Sequence, residues 1–267
     1  MPELPEVENT LRYLRENGLI GMTIDSIWTE SPNNIIGLSP EQFSNTFYGI
    51  AITTAERKAK YINISTETSC DYFSIHLGMT GSLSLDDTDA EMQKYCRHVI
   101  HLQERKELRF LDSRKFGKII YQNKPKIPLM LDPLDPNFSL DDLPAKVKTR
   151  RATIKSMIMD QSIVPGIGNL YADESLFKAE INPFRPIYLM EIKDFLKLTE
   201  SIKTVLNNAL SQYDKSRESD GYKPEFNLSP WDIVRKENAE CFRCLEPMFF
   251  ARINSRGTYY CNNCQPT

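Results

Sequence analysis

The sequence predicts a multi-domain α+β protein: a strand-rich first half behind a leading helix, a helical second half, and a compact cysteine ribbon at the end. Three observations carry this. Between about residues 22 and 122, segments rich in β-branched and aromatic residues follow one another without an intervening helical period. From about residue 141 the apolar residues recur at helical spacing instead. Near the C-terminus "CFRC…CNNC" sets two cysteine pairs sixteen residues apart.

The chain opens "MPELPEVENTLRYLREN". Leu4, Val7, Leu11 and Leu14 fall on one helical face, Pro5 suits a first turn, and Glu6 and Glu8 suit the positive end of the helix dipole. Gly18 marks the stop. Pro2 and Glu3 precede the helix, and helix grammar does not account for them. The strands follow as "MTIDSIW", "GIAITTAERKAKYINIS", "YFSIHLGMTGSLSL", "HVIHLQE", "ELRFLDS" and "GKIIYQ". Such a run favours a β-sandwich or a barrel over residues 1–122. Residues 123–140 contain four prolines and read as a linker. Residues 141–236 read as helical, with helices expected in "LPAKVKTRRATIKSMIMDQ", "NLYADESLFKAEI" and "EIKDFLKLTESIKTVLNNALSQY". Within that domain the polar segment 214–230 is expected to be a mobile loop. Residues 237–267 form the cysteine ribbon.

Four thiolates at this spacing suit one tetrahedral Zn²⁺ closed by Cys241, Cys244, Cys261 and Cys264, which leaves no open position for catalysis. A pair of disulfides or redox thiols is the alternative. The residues between the pairs read as a hairpin turning at "NSRG", which would hold Arg256 rigidly. In "QSIVPGIGNLYADESLF", Gly166 and Gly168 precede a helix beginning near Asn169, an arrangement suited to phosphate binding or to a plain interhelical turn. The basic run Lys146, Lys148, Arg150, Arg151 and Lys155 just upstream favours a clamp on a DNA backbone.

No apolar run approaches the roughly 18 residues of a membrane span, and the acidic start does not resemble a secretion signal. The expected compartment is therefore the cytoplasm, with no membrane partner. The formal net charge of −3 weighs against a nucleic-acid partner, although a basic face can coexist with an acidic back.

"MPELPE", "KAKY", "IHLGMTGSL", "DSRKFG", "GIGNLYADESLF" and the four-cysteine tail with "SRGTYYC" together resemble the formamidopyrimidine-DNA glycosylase/endonuclease VIII family, in that family's order and over almost the whole chain. The start and the "HLGMTGSL" and "SRKFG" stretches resemble the formamidopyrimidine branch more closely. The resemblance implies an N-terminal β-sandwich with a leading helix, then a helix–two-turn–helix domain with a C-terminal zinc finger. It implies one structural Zn²⁺ per chain, no organic cofactor, and a monomer acting on damaged double-stranded DNA at the nucleoid.

The implied activity is that of a bifunctional DNA glycosylase and AP lyase. With Met1 removed, as a small penultimate residue permits, the Pro2 amine would be the nucleophile and Glu3 the proton shuttle. Glu6 would assist by position and charge, or serve only the helix dipole. Lys60 matches the family's catalytic-site lysine, and Glu174 a carboxylate facing the site. Met79, Arg114 and Phe116 match residues that fill the gap left by a flipped nucleotide, and Lys115 stands where the family often has a second arginine. Lys155, Asn169 and Arg256 would grip flanking phosphates. Residues 214–236 depart from the formamidopyrimidine pattern, so preference for an oxidised purine (8-oxoguanine or a formamidopyrimidine) stays open against an endonuclease VIII-like preference for oxidised pyrimidines. A non-catalytic damage-binding protein is the reading from another class.

Overall fold

The computed structural model describes residues 1–68, 71–123, 131–141, 143, 151–222 and 231–266. They fall into two compact units, Met1–Ile127 with Arg217–Glu225, and Pro128–Ser216 with Phe226–Thr267.

In the first unit, helix α1 (Leu4–Glu16) begins where Glu3 leaves the extended region and acts as its N-cap. Leu4, Val7, Leu11 and Leu14, at 0–1% exposure, form its buried face as the periodicity predicts. The helix stops at Gly18, whose φ of +83° costs glycine nothing. The N–H of Leu19 then returns to the carbonyl of Leu14 at 3.0 Å, closing a Schellman turn. Nine strands follow among the described residues: β1 (Thr23–Thr29), β2 (Ile35–Ile36), β3 (Ile50–Lys58), β4 (Tyr61–Thr66), β5 (Tyr72–His76), β6 (Gly81–Asp87), β7 (Cys96–Leu102), β8 (Lys106–Asp112) and β9 (Lys118–Gln122). Their order is β2-β9-β5-β4-β3-β1-β7-β8-β6. The two halves join through a short β1–β3 pairing at Thr23–Ala51 and Ile24–Ile50, with register shifts beside it in both strands. Such bulges bend a strand, and here both halves enclose one core. Ile24, Ile52, Ile62, Phe73, Ile100, Phe110 and Ile119 meet Val7, Leu11 and Leu14 of α1 in it. This is the expected sandwich with its leading helix.

One element is absent from the sequence reading. Helix α2 (Pro40–Phe47) inserts Phe43 and Phe47 into that core. Its signal was present in "SPEQF": Ser39 caps, Pro40 takes the first position, and Gln42 closes a capping box at 2.8 Å.

In the second unit the described helices are α3 (Ile154–Ile158), α4 (Asn169–Lys178) and α5 (Ile192–Asp220), followed by a ribbon of β10 (Phe249–Ile253) and β11 (Arg256–Tyr260). Three expectations change here. The described part of the 123–140 linker is packed: Phe138 and Leu140 are buried, and the N–H of Leu140 donates to Thr199 Oγ1 at 3.1 Å. The first helix starts only at Ile154, because Thr153 caps it by accepting the N–H of Ser156 at 3.3 Å; residues 144–150, with Lys146, Lys148 and Arg150, lie outside the described residues. Residues 214–220, expected to be loop, continue α5. The end of that helix belongs to the first unit, where Arg217 donates to Asn9 Oδ1 at 2.6 Å and to Glu16 Oε2 at 3.0 Å. Gly221, at φ +76°, then releases the chain. Tyr222 stacks on Tyr13 at 3.9 Å between ring centroids. Residues 223–230 of the expected loop lie outside the described residues.

Candidate active site and nucleic-acid interface

A chain end is ordinarily poorly ordered unless tied down. Here Glu3 is only 3% exposed, and its backbone N–H donates to Glu6 Oε2 at 2.7 Å within a capping box. Glu6 thus holds the backbone that carries Glu3. Pro2 sits directly before this cap, part-buried.

Lys60 occupies the two-residue turn between β3 and β4, where Lys58 pairs with Tyr61 and Ala59 takes φ +54°. Arg57 ties that turn to α1, donating to Glu8 Oε2 at 2.7 Å and to the Ala59 carbonyl at 3.2 Å. Glu8 also accepts from Arg12 at 3.2 Å, so it does more than complement the helix dipole. His76, which no spacing or composition in the sequence singles out, packs its ring against Tyr61. Burial, then the charges of Lys60 and Lys118, push its pKa below the usual histidine value. Its Nδ1 accepts the Gly78 N–H at 3.2 Å, which leaves the proton of the neutral ring on Nε2.

Met79, Arg114, Lys115 and Phe116 lie on two adjoining turns built around one carboxylate. Asp112 accepts from the Thr80 hydroxyl and from the N–H groups of Arg114 (3.1 Å), Phe116 (2.8 Å) and Gly117 (2.7 Å). Burial alone would raise its pKa, but these hydrogen bonds outweigh it and hold the carboxyl below the ordinary range. The turns also touch through glycine: a Cβ on Gly78 would lie 2.7 Å from the Gly117 nitrogen, and one on Gly117 would lie 2.2 Å from the Phe110 ring. The result is an exposed Phe116 ring with the Arg114 guanidinium 4.9 Å above its centroid. Lys115, at φ +57°, points elsewhere and donates to Glu30 Oε1 at 2.9 Å. Asp112 and the glycines escaped the sequence reading, although an aspartate opening a turn is a recognisable signal.

In the second unit, three residues far apart in sequence meet at one carbonyl. The Gly257 oxygen accepts from Asn169 Nδ2 at 3.0 Å and from Lys155 Nζ at 3.1 Å. Gly257 follows Arg256, which is exposed. The hairpin turn is Asn254–Ser255, both at positive φ, so Arg256 is the first residue of β11 rather than the tip. Asn169 does not cap α4, because Gly168 takes that position. Lys155 is completely buried, with its ammonium also 2.6 Å from Asp173 Oδ1 and 2.7 Å from Thr258 Oγ1. It braces the hairpin from below instead of facing outward. Glu174, on the same helix as Asp173, is buried, and burial lifts its carboxyl to about 7 against the opposing charge of Arg235.

The four cysteines of the ribbon converge, their sulfurs all within 4.8 Å of one another. Cys241 and Cys264 lie 3.8 Å apart, and Cys244 and Cys261 3.5 Å apart. These four side chains could hold a metal ion, and Cys241 and Cys261 also pack on Phe177 of α4.

Two family models match the chain, the formamidopyrimidine-DNA glycosylase N-terminal domain over residues 1–119 and the formamidopyrimidine-DNA glycosylase H2TH domain over residues 129–220. The formamidopyrimidine-DNA glycosylase of Listeria innocua is 32% identical, covering 99% of this chain and 100% of its own length. The chain belongs to the formamidopyrimidine-DNA glycosylase family. The enzyme of that name from Vibrio atlanticus is 33% identical over the same shares. Among solved structures, a complex of Lactococcus lactis FPG with FAPY-dG-containing DNA matches with TM-score 0.87 and 25% identity, over 99% of this chain and 100% of that one. A complex of the wild-type Lactococcus lactis FPG with DNA containing an oxidised pyrimidine matches with TM-score 0.87 and 26% identity over all of both chains.

The described end of the segment 214–236 packs against Asp173 and Glu174. Arg235 donates to Asp173 Oδ2 at 2.9 Å, to the Leu170 carbonyl at 3.0 Å and to Glu174 Oε1 at 3.4 Å. The Asp232 N–H also donates to Glu174 Oε2 at 3.1 Å.

Two outcomes follow from this geometry. Gly117→Ala should cost about 1–3 kcal/mol, because Phe110 leaves no room for a methyl group; an unchanged denaturation midpoint would contradict that packing. For Glu174, the folded pKa of about 7 lies above the unfolded value. Its contribution to stability is therefore largest at acid pH and is lost as pH rises through 7. Glu174→Gln should stabilise the chain relative to the parent by about 1–3 kcal/mol at pH 8 and by little at pH 5. Denaturant titrations at the two pH values test this, and a difference that ignores pH would remove the raised pKa.

Proposed function

We propose that the chain is a bifunctional DNA glycosylase and AP lyase of base excision repair, acting on oxidised bases in duplex DNA. The observation that carries this reading is the ordered N-terminus: Glu3 is buried and held by Glu6 at the head of a helix whose apolar face is sealed in the core. While Met1 is present, the Pro2 nitrogen is an amide. Once Met1 is removed it is a secondary amine, with a reference α-amino pKa of about 8, so a useful fraction is neutral at physiological pH. That nitrogen forms a bond to C1′ of the damaged nucleotide as the glycosidic bond breaks and the base departs with a proton. Loss of the nitrogen proton and opening of the sugar leave an iminium, which draws electrons and lets the 3′-phosphate and then the 5′-phosphate leave by β- and δ-elimination. Glu3 moves the protons at the sugar.

Lys60 holds a phosphate or developing charge, and Glu174 contributes a carboxyl that can be neutral or ionised near physiological pH. A base within a duplex must be flipped out for this chemistry. Met79 and Phe116 fill the gap it leaves, and Arg114 pairs with the orphaned base. Lys115 keeps the charge of an arginine without its two-pronged donor geometry. Arg256 and Asn169 contact flanking phosphates, and Lys155 supports them through the Gly257 hairpin. The lesion class is an oxidised purine, formamidopyrimidine or 8-oxoguanine. A second reading, oxidised pyrimidines, draws support from the Lactococcus lactis complex with such DNA. The enzyme works as a monomer in the cytoplasm, at the nucleoid. Among the described residues no helix is long and apolar enough to cross a membrane.

The ribbon holds one structural Zn²⁺. Bonds of about 2.3 Å to four sulfurs at tetrahedral angles place the sulfurs roughly 3.8 Å apart, close to the spacing of the paired cysteines.

Borohydride should trap a covalent complex between the Met1-processed chain and duplex DNA carrying an abasic site or 8-oxoguanine, and an unprocessed Met1 should abolish it. No adduct from the processed chain would overturn the enzyme reading and leave a damage-binding protein. Rates on 8-oxoguanine, formamidopyrimidine and thymine-glycol duplexes then decide the lesion class. Elemental analysis should find about one zinc per chain; a metal-free chain with full DNA affinity would sink the structural ion.

A further inference from the structure

Helix α1 is buried on two faces, and only one of them is apolar. Val7, Leu11 and Leu14 enter the sandwich core. Glu6, Asn9, Thr10, Tyr13 and Glu16 recur at helical spacing on another side of the same helix. A polar face of this kind ordinarily meets water, yet Asn9 and Thr10 are only 3% and 4% exposed. They are met by Arg217 and Tyr222, which belong to the same compact unit. Arg217 donates through Nη1 to Asn9 Oδ1 at 2.6 Å, and through Nε and Nη2 to the two Glu16 carboxylate oxygens at 3.0 and 3.2 Å. Tyr222 lies flat on Tyr13, the ring planes 11° apart. Tyr13 is itself held, because its hydroxyl accepts the Leu85 N–H of β6 at 3.1 Å.

From this stack, polar contacts run toward the chain end. The Thr10 hydroxyl donates to the Glu6 carbonyl at 2.9 Å. A hydroxyl has one proton to give, so in the 3.1 Å contact between the Thr10 and Tyr222 hydroxyls the donor is Tyr222. Burial raises the Tyr222 pKa above the ordinary phenol value, which keeps that proton in place. The Glu6 carboxylate in turn accepts the Glu3 N–H at 2.7 Å. The line Tyr222, Thr10, Glu6, Glu3 therefore ends one residue short of Pro2. The capping box closes the first turn on itself, and Thr10 and Tyr222 tie that turn to a second element. Reacting groups displaced by about 1 Å can lose on the order of a hundredfold in rate, so where this turn stands matters to any nucleophile at its head.

We propose that Tyr222, braced by Tyr13 and Arg217, is a positioning residue for the Pro2 nucleophile, acting through Thr10 and Glu6 on the first turn of α1. The proposal rests on the glycosylase reading above and adds to it the residues that aim the amine. In the test, Met1-processed chain in excess is mixed with a duplex carrying an abasic site, and the covalent complex is captured with borohydride over time. Tyr222→Phe keeps the ring stack and removes one hydroxyl. It should slow adduct formation at saturating enzyme roughly threefold to tenfold, the scale of one hydrogen bond. Affinity for a duplex carrying a tetrahydrofuran analogue, which cannot form an iminium, should match the parent. Thr10→Val removes the acceptor and should slow the reaction at least as much. The double variant should be no slower than Thr10→Val alone, as expected for two members of one line. A melting temperature that falls beside an unchanged rate would leave Tyr222 a structural role only and overturn the proposal. So would a loss confined to tetrahydrofuran-duplex affinity, which would make Tyr222 a DNA contact instead. If the processed parent forms no adduct, the glycosylase reading itself falls, a result distinct from a parent that traps beside a Tyr222→Phe chain that traps equally fast.

Discussion

The proposed use of the Pro2 backbone amine as nucleophile requires the most mobile part of a chain to stand still. Ordering a residue costs roughly 1–2 kcal/mol of backbone entropy, and a terminus has a neighbour on only one side to share that cost. Here burial offsets it. Leu4 is completely buried immediately after Glu3, and Val7, Leu11 and Leu14 continue the same face into the sandwich core. Each fully buried side chain of this size contributes roughly 1.5–3 kcal/mol, enough to hold the first turn. The capping box then fixes the last free backbone N–H before Pro2. In this arrangement the helix anchors the chain end as well as packing against the sheet.

A second pattern recurs in both units: an ionised group withdrawn from solvent gives an exposed turn its shape. Asp112 gathers the N–H groups of Arg114, Phe116 and Gly117; Arg109 gathers the carbonyls of Asp87, Ala90 and Glu91; Lys155 joins Asp173 to the Gly257 hairpin. Irregular backbone lacks a ladder to satisfy its polar groups, and a charge with several donors or acceptors replaces that ladder at one point. The exposed side chains on those turns are thereby fixed before any partner arrives, which lowers the ordering cost of binding.

What was legible in the sequence divides along the same line. Periodic features were legible: the face of α1, most strands, the cysteine spacing and the hairpin all follow from side-chain patterns with one physical cause. Helix α2 was legible in principle, since "SPEQF" holds a capping box, but it is short and sits among strands. The roles of Asp112, Arg109 and Lys155 were not legible, because each depends on which distant backbone folds over it. Lys155 reads as a surface cation in a basic run, and only Asp173 and Thr258 reveal it as buried. The end of α5 was misread for a related reason: its polar residues find partners in Asn9 and Glu16, some 200 positions away.

The acidic net charge says little about where the charges lie. A formal count of −3 takes no account of which groups are buried or paired. Glu3 and Glu6 close a helix, Glu8 binds Arg57 and Arg12, Asp112 organises a turn, and Asp173 and Glu174 are buried with Lys155 and Arg235. Arg114 and Arg256 stand exposed beside these structures. The field that steers a polyanion depends on the charge left at the surface it approaches, and salt screens charges more than about 10 Å away. The net charge of the whole chain is therefore a poor guide to its partner.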